Sequence, residues 1–212
     1  MENLFHNTKP ESITLKPDCT ILRLPLVRQA TDYTCGVACV QSILRYGGYD
    51  FDIREDKLAK ILKADPQDGT NTRNMVEYLN SVRYSAEENS DDMIAREGVQ
   101  VFKAEAKDNL SLDQLTSFID EGKPVICAIQ AWGGMEDYSE EQEDGHYVIA
   151  IGYDTDNIIF MDPSTSGSYT YIPRGEFLTR WHDYDEFASL NCFGIVVTLE
   201  PDYDQIKIYK IK

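Results

Sequence analysis

One thiol in this chain stands where chemistry could be done. Cys35, followed by Gly36, opens the segment VACVQSIL, which reads as a helix that is apolar almost all round. A cysteine in the first turn of a helix sits among unpaired backbone N–H groups at the positive end of the helix dipole, which favours thiolate over thiol and makes a nucleophile. Gly36 removes a side chain that would crowd the neighbouring N–H, leaving a donor for a developing oxyanion. Gln29, six residues before Cys35, can bring its side-chain amide to the same place.

A nucleophilic cysteine needs a base, and the chain offers three histidines: His6, His146 and His182. His6 lies in a polar N-terminal stretch. His146 follows Gly145 and begins HYVIAIGYD, a strand pattern that can aim a ring. Beyond the turn DTDN, the returning strand ends in Asp162-Pro163. Whether Asp162 can orient His146 depends on register, since side chains alternate faces. Pairing Tyr153 with Asn157 sets Asp162 opposite Val148, diagonal to His146 on one face. Pairing Asp154 with Asn157 sets the two on opposite faces, so that the chemistry requires the first register or a bulge that restores it. Gly36, Trp132, Gly133 and Gly145 flank these groups and are the expected substrate-binding positions.

The elements that must position them divide at about residue 124. Before it, a short strand around Thr20 to Leu26 precedes the Cys35 helix, which Gly47-Gly48 stops. Helices follow at about Arg54 to Leu62 and Arg73 to Val82, and another starts at Ser111 with Gln114 completing a capping box and ends at Gly122. Ser85 to Asp92 reads as a loop. After it, PVICAIQAW, HYVIAIGYD, NIIFMDP, SYTYIP, CFGIVVTLE and QIKIYKI read as strands, with RGEFLTRW as one short helix. The connections are too short for helical crossovers, so an α+β fold with a mainly antiparallel sheet is expected. The expected layout is an N-terminal extension over 1–19 and a single domain over 20–212, its helical lobe at 20–123 and its sheet lobe at 124–212.

Composition narrows the function. Thirty-seven acidic against twenty basic residues give a formal charge of −17, which argues against nucleic-acid and anionic-membrane partners. No apolar run exceeds five residues, and the opening MENLFHNTKPES lacks the apolar stretch of a secretory signal. Five irregularly spaced cysteines suit free thiols in a reducing compartment. A cytoplasmic protein is expected, with signal-less export as an effector the alternative.

Other readings of the same residues compete. Cys35 alone could be a small buried hydrophobe, as Cys39, Cys127 and Cys192 are expected to be. A metal on Cys35 and Cys39 would need two further ligands, and none is expected. Asp162 before Pro163 could simply end a strand, Gln29 could serve loop backbone groups, and His182 could be a surface histidine at a helix C-terminus. The run MEDYSEEQEDGH is a solvated loop or, hinged at Gly133-Gly134, a lid favouring basic substrates.

Together, QATDYTCGVAC, GHYVIAIGYD and IIFMDP resemble the papain-like cysteine peptidases of the bacteriocin-processing type, whose domains remove double-glycine leader peptides. The resemblance, which extends roughly over residues 20 to 200 in layout, implies a papain-like fold and a glutamine, cysteine, histidine and aspartate acting in that order: Gln29, Cys35, His146 and Asp162. The best-known members are parts of export transporters, whereas this chain carries neither a membrane segment nor a P-loop and is more like the stand-alone members, whose substrates vary. The expected activity is a cofactor-free cysteine hydrolase, a peptidase or amidase acting on a peptide or protein, with a basic substrate favoured if the acidic run is a lid. The alternatives are an acyltransferase, transpeptidase or deamidase on the same scaffold, and a papain-like binding module without chemistry.

Overall fold

The computed structural model describes residues 12–14, 16, 19–48, 53–84, 99–132, 138–165, 167–185 and 188–199. Along the chain these form β1 (Thr20–Ile21), α1 (Cys35–Tyr46), α2 (Glu55–Ile61), α3 (Thr72–Ser81), β2 (Arg83–Tyr84), β3 (Val99–Gln100), β4 (Phe102–Lys107) and α4 (Leu112–Asp120). The second half supplies β5 (Val125–Gln130), β6 (Gly145–Tyr153), β7 (Asn157–Met161), β8 (Thr170–Pro173), α5 (Arg174–Arg180), β9 (His182–Asp185), β10 (Ala188–Asn191) and β11 (Gly194–Leu199). The expected strand QIKIYKI, the loop Ser85 to Asp92, His6 and Gly133 lie outside the described residues.

The main sheet has seven strands in the order β4-β11-β5-β6-β7-β8, with β1 added beside the far end of β6. Every pairing is antiparallel, as the short connections require. Its inner strands β5, β6 and β7 are buried almost throughout because both faces are covered there. Ile126, Ala128, Tyr147, Ile149 and Ile159 face a core shared with α1, α2 and α3. Their neighbours Val125, Cys127, Ile129, Val148 and Ile158 face a second core with Leu115 and Ile119 of α4 and Phe177 of α5. The α1 helix is buried from Cys35 through Leu44, which explains its all-round apolar sequence.

Local rules set several boundaries. Ser111 Oγ accepts from Gln114 N at 3.1 Å while Gln114 Oε1 accepts from Ser111 N at 2.9 Å, the expected capping box of α4. Asn71 caps α3 through Arg73 N at 2.9 Å. The half before residue 124, read from the sequence as helical after its first strand, also contains β4, which pairs along its full length with β11 at the sheet edge. Its partner lies about ninety residues away, a non-local pairing that the helix-forming Lys, Ala and Glu of FKAEAK conceal.

Candidate active site

Cys35 is the first residue of α1, and its N-cap, Thr34, makes no side-chain capping bond. Thr34 Oγ1 is engaged instead with Thr31, accepting from its N–H at 3.1 Å and donating to its carbonyl at 3.2 Å. No acidic residue occupies the first turn. The helix mouth therefore keeps its positive character for the sulfur and for an oxyanion. Gly36 is buried, and a Cβ there would lie 2.7 Å from Thr70 Cβ and 3.0 Å from Met75 Sδ. The absent side chain lets α1 pack against the loop that leads into α3.

The loop before α1 is stitched to the other side of the site. Gln29 N donates to Pro163 O at 3.0 Å, directly beside Asp162, and Ala30 N donates to Glu55 Oε1 at 2.9 Å. The Gln29 side-chain nitrogen donates to Thr31 O at 2.9 Å, while Oε1 is buried without a partner. The amide is thus held on its own loop, with one N–H still uncommitted.

His146 and Asp162 meet through the hairpin of β6 and β7. Near the turn the ladder runs Tyr153 to Ile158 and Gly152 to Ile159, and Asp154 N donates to Asn157 O at 3.1 Å. That register alone would separate the two side chains. A bulge at Ile151 shifts it, so that Ala150 pairs with Phe160 and Ile149 with Met161. Continued by one step, the ladder puts Asp162 opposite Val148, on the face of His146. His146 Nε2 accordingly lies 2.9 Å from Asp162 Oδ1, and His146 is only 2% exposed.

Asp162 also ends the strand in a turn, so the contact with His146 and the turn occur together. Its Oδ1 accepts from Ser164 N and Oγ, both at 2.8 Å, and its Oδ2 accepts from Thr165 Oγ1 at 2.9 Å. These two hydroxyls follow Asp-Pro, where Ser and Thr are a turn signal legible in the sequence. Burial opposes the charged form of Asp162, but the bonds from His146 and Ser164 outweigh it and hold the carboxyl down at about 2. Burial likewise opposes a charged His146. Hydrogen bonding to Asp162 and to Cys35, with the negative charge of both, prevails and raises the imidazole to about 9. The other ring nitrogen, Nδ1, is buried without a partner of normal hydrogen-bond geometry. The Trp132 ring leans on the imidazole, centroids 4.8 Å apart and planes at 47°.

The remaining candidates fall elsewhere. Cys39 Sγ donates to Tyr147 O at 3.5 Å, and burial raises its pKa well above the usual range. Cys127 is fully buried and also raised by burial, while Cys192 is half-buried. His182 begins β9, with Nε2 2.9 Å from Tyr138 O. In the acidic run, Tyr138 is buried beneath the Arg180 guanidinium, 3.5 Å from the ring centroid, which anchors the described part of that loop. Gly145 is exposed at the head of β6.

Comparison with known proteins agrees with this geometry in class. The chain matches the Peptidase_C39 like family over residues 21–189, and it belongs to that family. A comparison with curated proteins finds no match. Among solved structures, a protein of Bacillus anthracis described as a C39-like peptidase is 18% identical, with a TM-score of 0.52 over 85% of this chain and 98% of that one. The peptidase domain of Streptococcus ComA, a bifunctional ABC transporter involved in quorum sensing, is also 18% identical, with a TM-score of 0.52 over 85% and 100%. A double-glycine motif protease from an AMS/PCAT transporter, solved with a leader peptide, is 14% identical, with a TM-score of 0.51 over 85% and 94%. The fold is the papain-like cysteine peptidase fold of these proteins. Among the described residues no helix is long and apolar enough to cross a membrane.

Proposed function

We propose that the protein is a cysteine peptidase or amidase that works through an acyl-enzyme on Cys35. In this reading His146 Nδ1 takes the thiol proton and Cys35 Sγ attacks the amide carbon, forming the C–S bond. The carbonyl π electrons move to oxygen, where the Cys35 backbone N–H and the Gln29 amide donate to the anion. His146 then protonates the leaving amine as the C–N bond breaks, and water, deprotonated by His146, releases the acid and restores the thiol. Asp162 holds the ring through Nε2 throughout. One observation carries the reading: His146 is tethered on one nitrogen while the other is buried without a normal partner, in a ring whose pKa Cys35 raises.

A peptide substrate is supported by the transporter protease of like fold that was solved with a leader peptide. The charge of −17 favours a basic segment, and five free cysteines favour a reducing, cytoplasmic setting. The test is to incubate the full chain with a peptide library and look by intact mass spectrometry for an adduct that maps to Cys35. The expected adduct is acyl, absent in Cys35→Ala and lost to water. Transfer of the acyl group to added amine in preference to water would make the protein a transferase. Alkylation of Cys35 by iodoacetamide at mildly acidic pH no faster than that of Cys19, with no adduct, would leave a binding module.

A further inference from the structure

We propose that Gln130 is a positioning residue: its buried amide fixes the fork from which His146 and Trp132 both depart. The inference rests on the functional reading above. Gln130 ends β5, a strand buried at every position, and is itself 0% exposed. A polar side chain in such a place is destabilising unless its atoms are paired, and here each is. Nε2 donates to Asp183 Oδ1 at 3.1 Å and to His182 O at 3.3 Å, and Oε1 accepts from Asp144 N at 3.1 Å. One side chain thereby joins β5 and β9 to the segment that leads into β6.

The backbone of the fork is held as firmly. Gln130 pairs with Gly145 in the ladder, and Ala131 N donates to Asp144 O at 2.9 Å. Arg180 Nη1 donates to Gln130 O at 3.0 Å and Ala131 O at 2.6 Å, and its Nε donates to Glu176 Oε1 at 2.7 Å. Gly145 makes room for the amide's partner, since a Cβ there would lie 2.7 Å from both Asp183 carboxylate oxygens. One residue beyond Gly145 is His146, and two beyond Gln130 is Trp132, the ring that leans on it.

The charged groups around the fork are Asp183, Asp144, Arg180 and His182, with Asp185 near Asp183. Burial holds the Asp183 carboxyl up at about 6, against the bonds from Tyr184 N and Gln130. Ionised or neutral, Asp183 keeps an oxygen lone pair for the amide N–H, so the contact holds on both sides of that pH.

The test follows iodoacetamide alkylation of Cys35 against pH in the full chain. On the functional reading, the wild-type rate should persist into mildly acidic pH. Gln130→Leu should lower that acidic rate by about tenfold or more, as small misplacements of catalytic groups do. Gln130→Glu, which replaces the N–H donors facing Asp183 Oδ1 and His182 O with an oxygen, should do the same. Gln130→Glu with Asp183→Asn turns the contact with residue 183 round but leaves an oxygen against His182 O, so it should recover part of the acidic rate. A folded Gln130→Leu with the wild-type profile and only a lower Tm would overturn the proposal. If Gln130→Leu does not fold, equal profiles for Gln130→Glu and the exchanged pair overturn it instead. A wild type that lacks the acidic rate would refute the functional reading itself, and this inference with it.

Discussion

His146 Nε2 and Asp162 Oδ1 lie 2.9 Å apart across a hairpin whose turn, followed alone, would have pointed the two side chains to opposite faces. The extra residue Ile151 reconciles them. Its carbonyl is not idle, since it accepts from Leu22 N at 2.7 Å and so secures the chain just beyond β1. Bulges re-aim side chains beside sites of this kind. Here the bulge lets one strand satisfy the tight turn at Asp154 and the face on which His146 must stand.

The His146–Asp162 pair should be visible in stability as a function of pH. Asp162 titrates at about 2 in the fold and at roughly 3.9 when unfolded. Its contribution is therefore present above roughly 3.9 and lost as pH falls through about 2. His146 is the opposite case: raised to about 9, it contributes fully below its unfolded value of roughly 6.5 and loses that contribution as pH rises through about 9. Tm should plateau in mildly acidic solution and fall on both sides. In Asp162→Asn both limbs should flatten, the alkaline one keeping whatever Cys35 supplies. Parallel Tm–pH curves for the two proteins would contradict the pairing.

Trp132 offers a direct reading of the imidazole. The chain has two tryptophans, and Trp181 is buried with its indole N–H donating to Phe193 O at 2.8 Å, whereas Trp132 touches His146. A protonated imidazole quenches an adjacent indole. Emission should rise as pH passes about 9, where His146 loses its proton. Trp132→Phe should abolish the step, and Asp162→Asn should move it to lower pH. A step that survives Trp132→Phe would assign it elsewhere.

What could be read from the sequence was local or periodic. The box of Ser111 and Gln114 closes within one turn, and the Cys35 helix declares itself by being apolar all round. The seam between β4 and β11 could not be read that way, because edge strands are defined by distant partners and FKAEAK has helix-forming residues. The hairpin of β9 and β10 escaped for a related reason: Ala188–Asn191 pairs residue by residue with His182–Asp185 but has little β-branched character. At the candidate site, the contact of His146 with Asp162 was legible as a question of register, since side-chain alternation decides it once turn and bulge are known. Gln130 was equally visible as the one amide in VICAIQ, yet a polar residue at a strand end reads as an exit to solvent unless its partners are known.

Cys39 contrasts with Cys35, the proposed nucleophile one helical turn away. It is fully buried and bonded to the Tyr147 carbonyl, and desolvation disfavours its thiolate. Cys39→Ala should cost about 1–2 kcal/mol, mainly through the space it leaves. It should leave the pH profile of Cys35 alkylation unchanged, as peptide mapping after iodoacetamide would report. Loss of the fast-reacting thiol in Cys39→Ala, with retention in Cys35→Ala, would reverse the assignment of nucleophile.

Gly36 can be tested for two roles at once. Its missing side chain either serves packing, because Thr70 Cβ occupies the space at 2.7 Å, or keeps an N–H open to the oxyanion, or both. Gly36→Ala should lower stability by about 1–3 kcal/mol, the usual penalty of overpacking, and should slow acyl-enzyme formation as α1 shifts from His146. Adding Thr70→Gly removes the atoms that the new methyl meets. Recovery of both stability and acylation in the double variant would make the glycine a packing residue. Recovery of stability alone would mean that the methyl still obstructs the carbonyl oxygen, and the oxyanion role would stand.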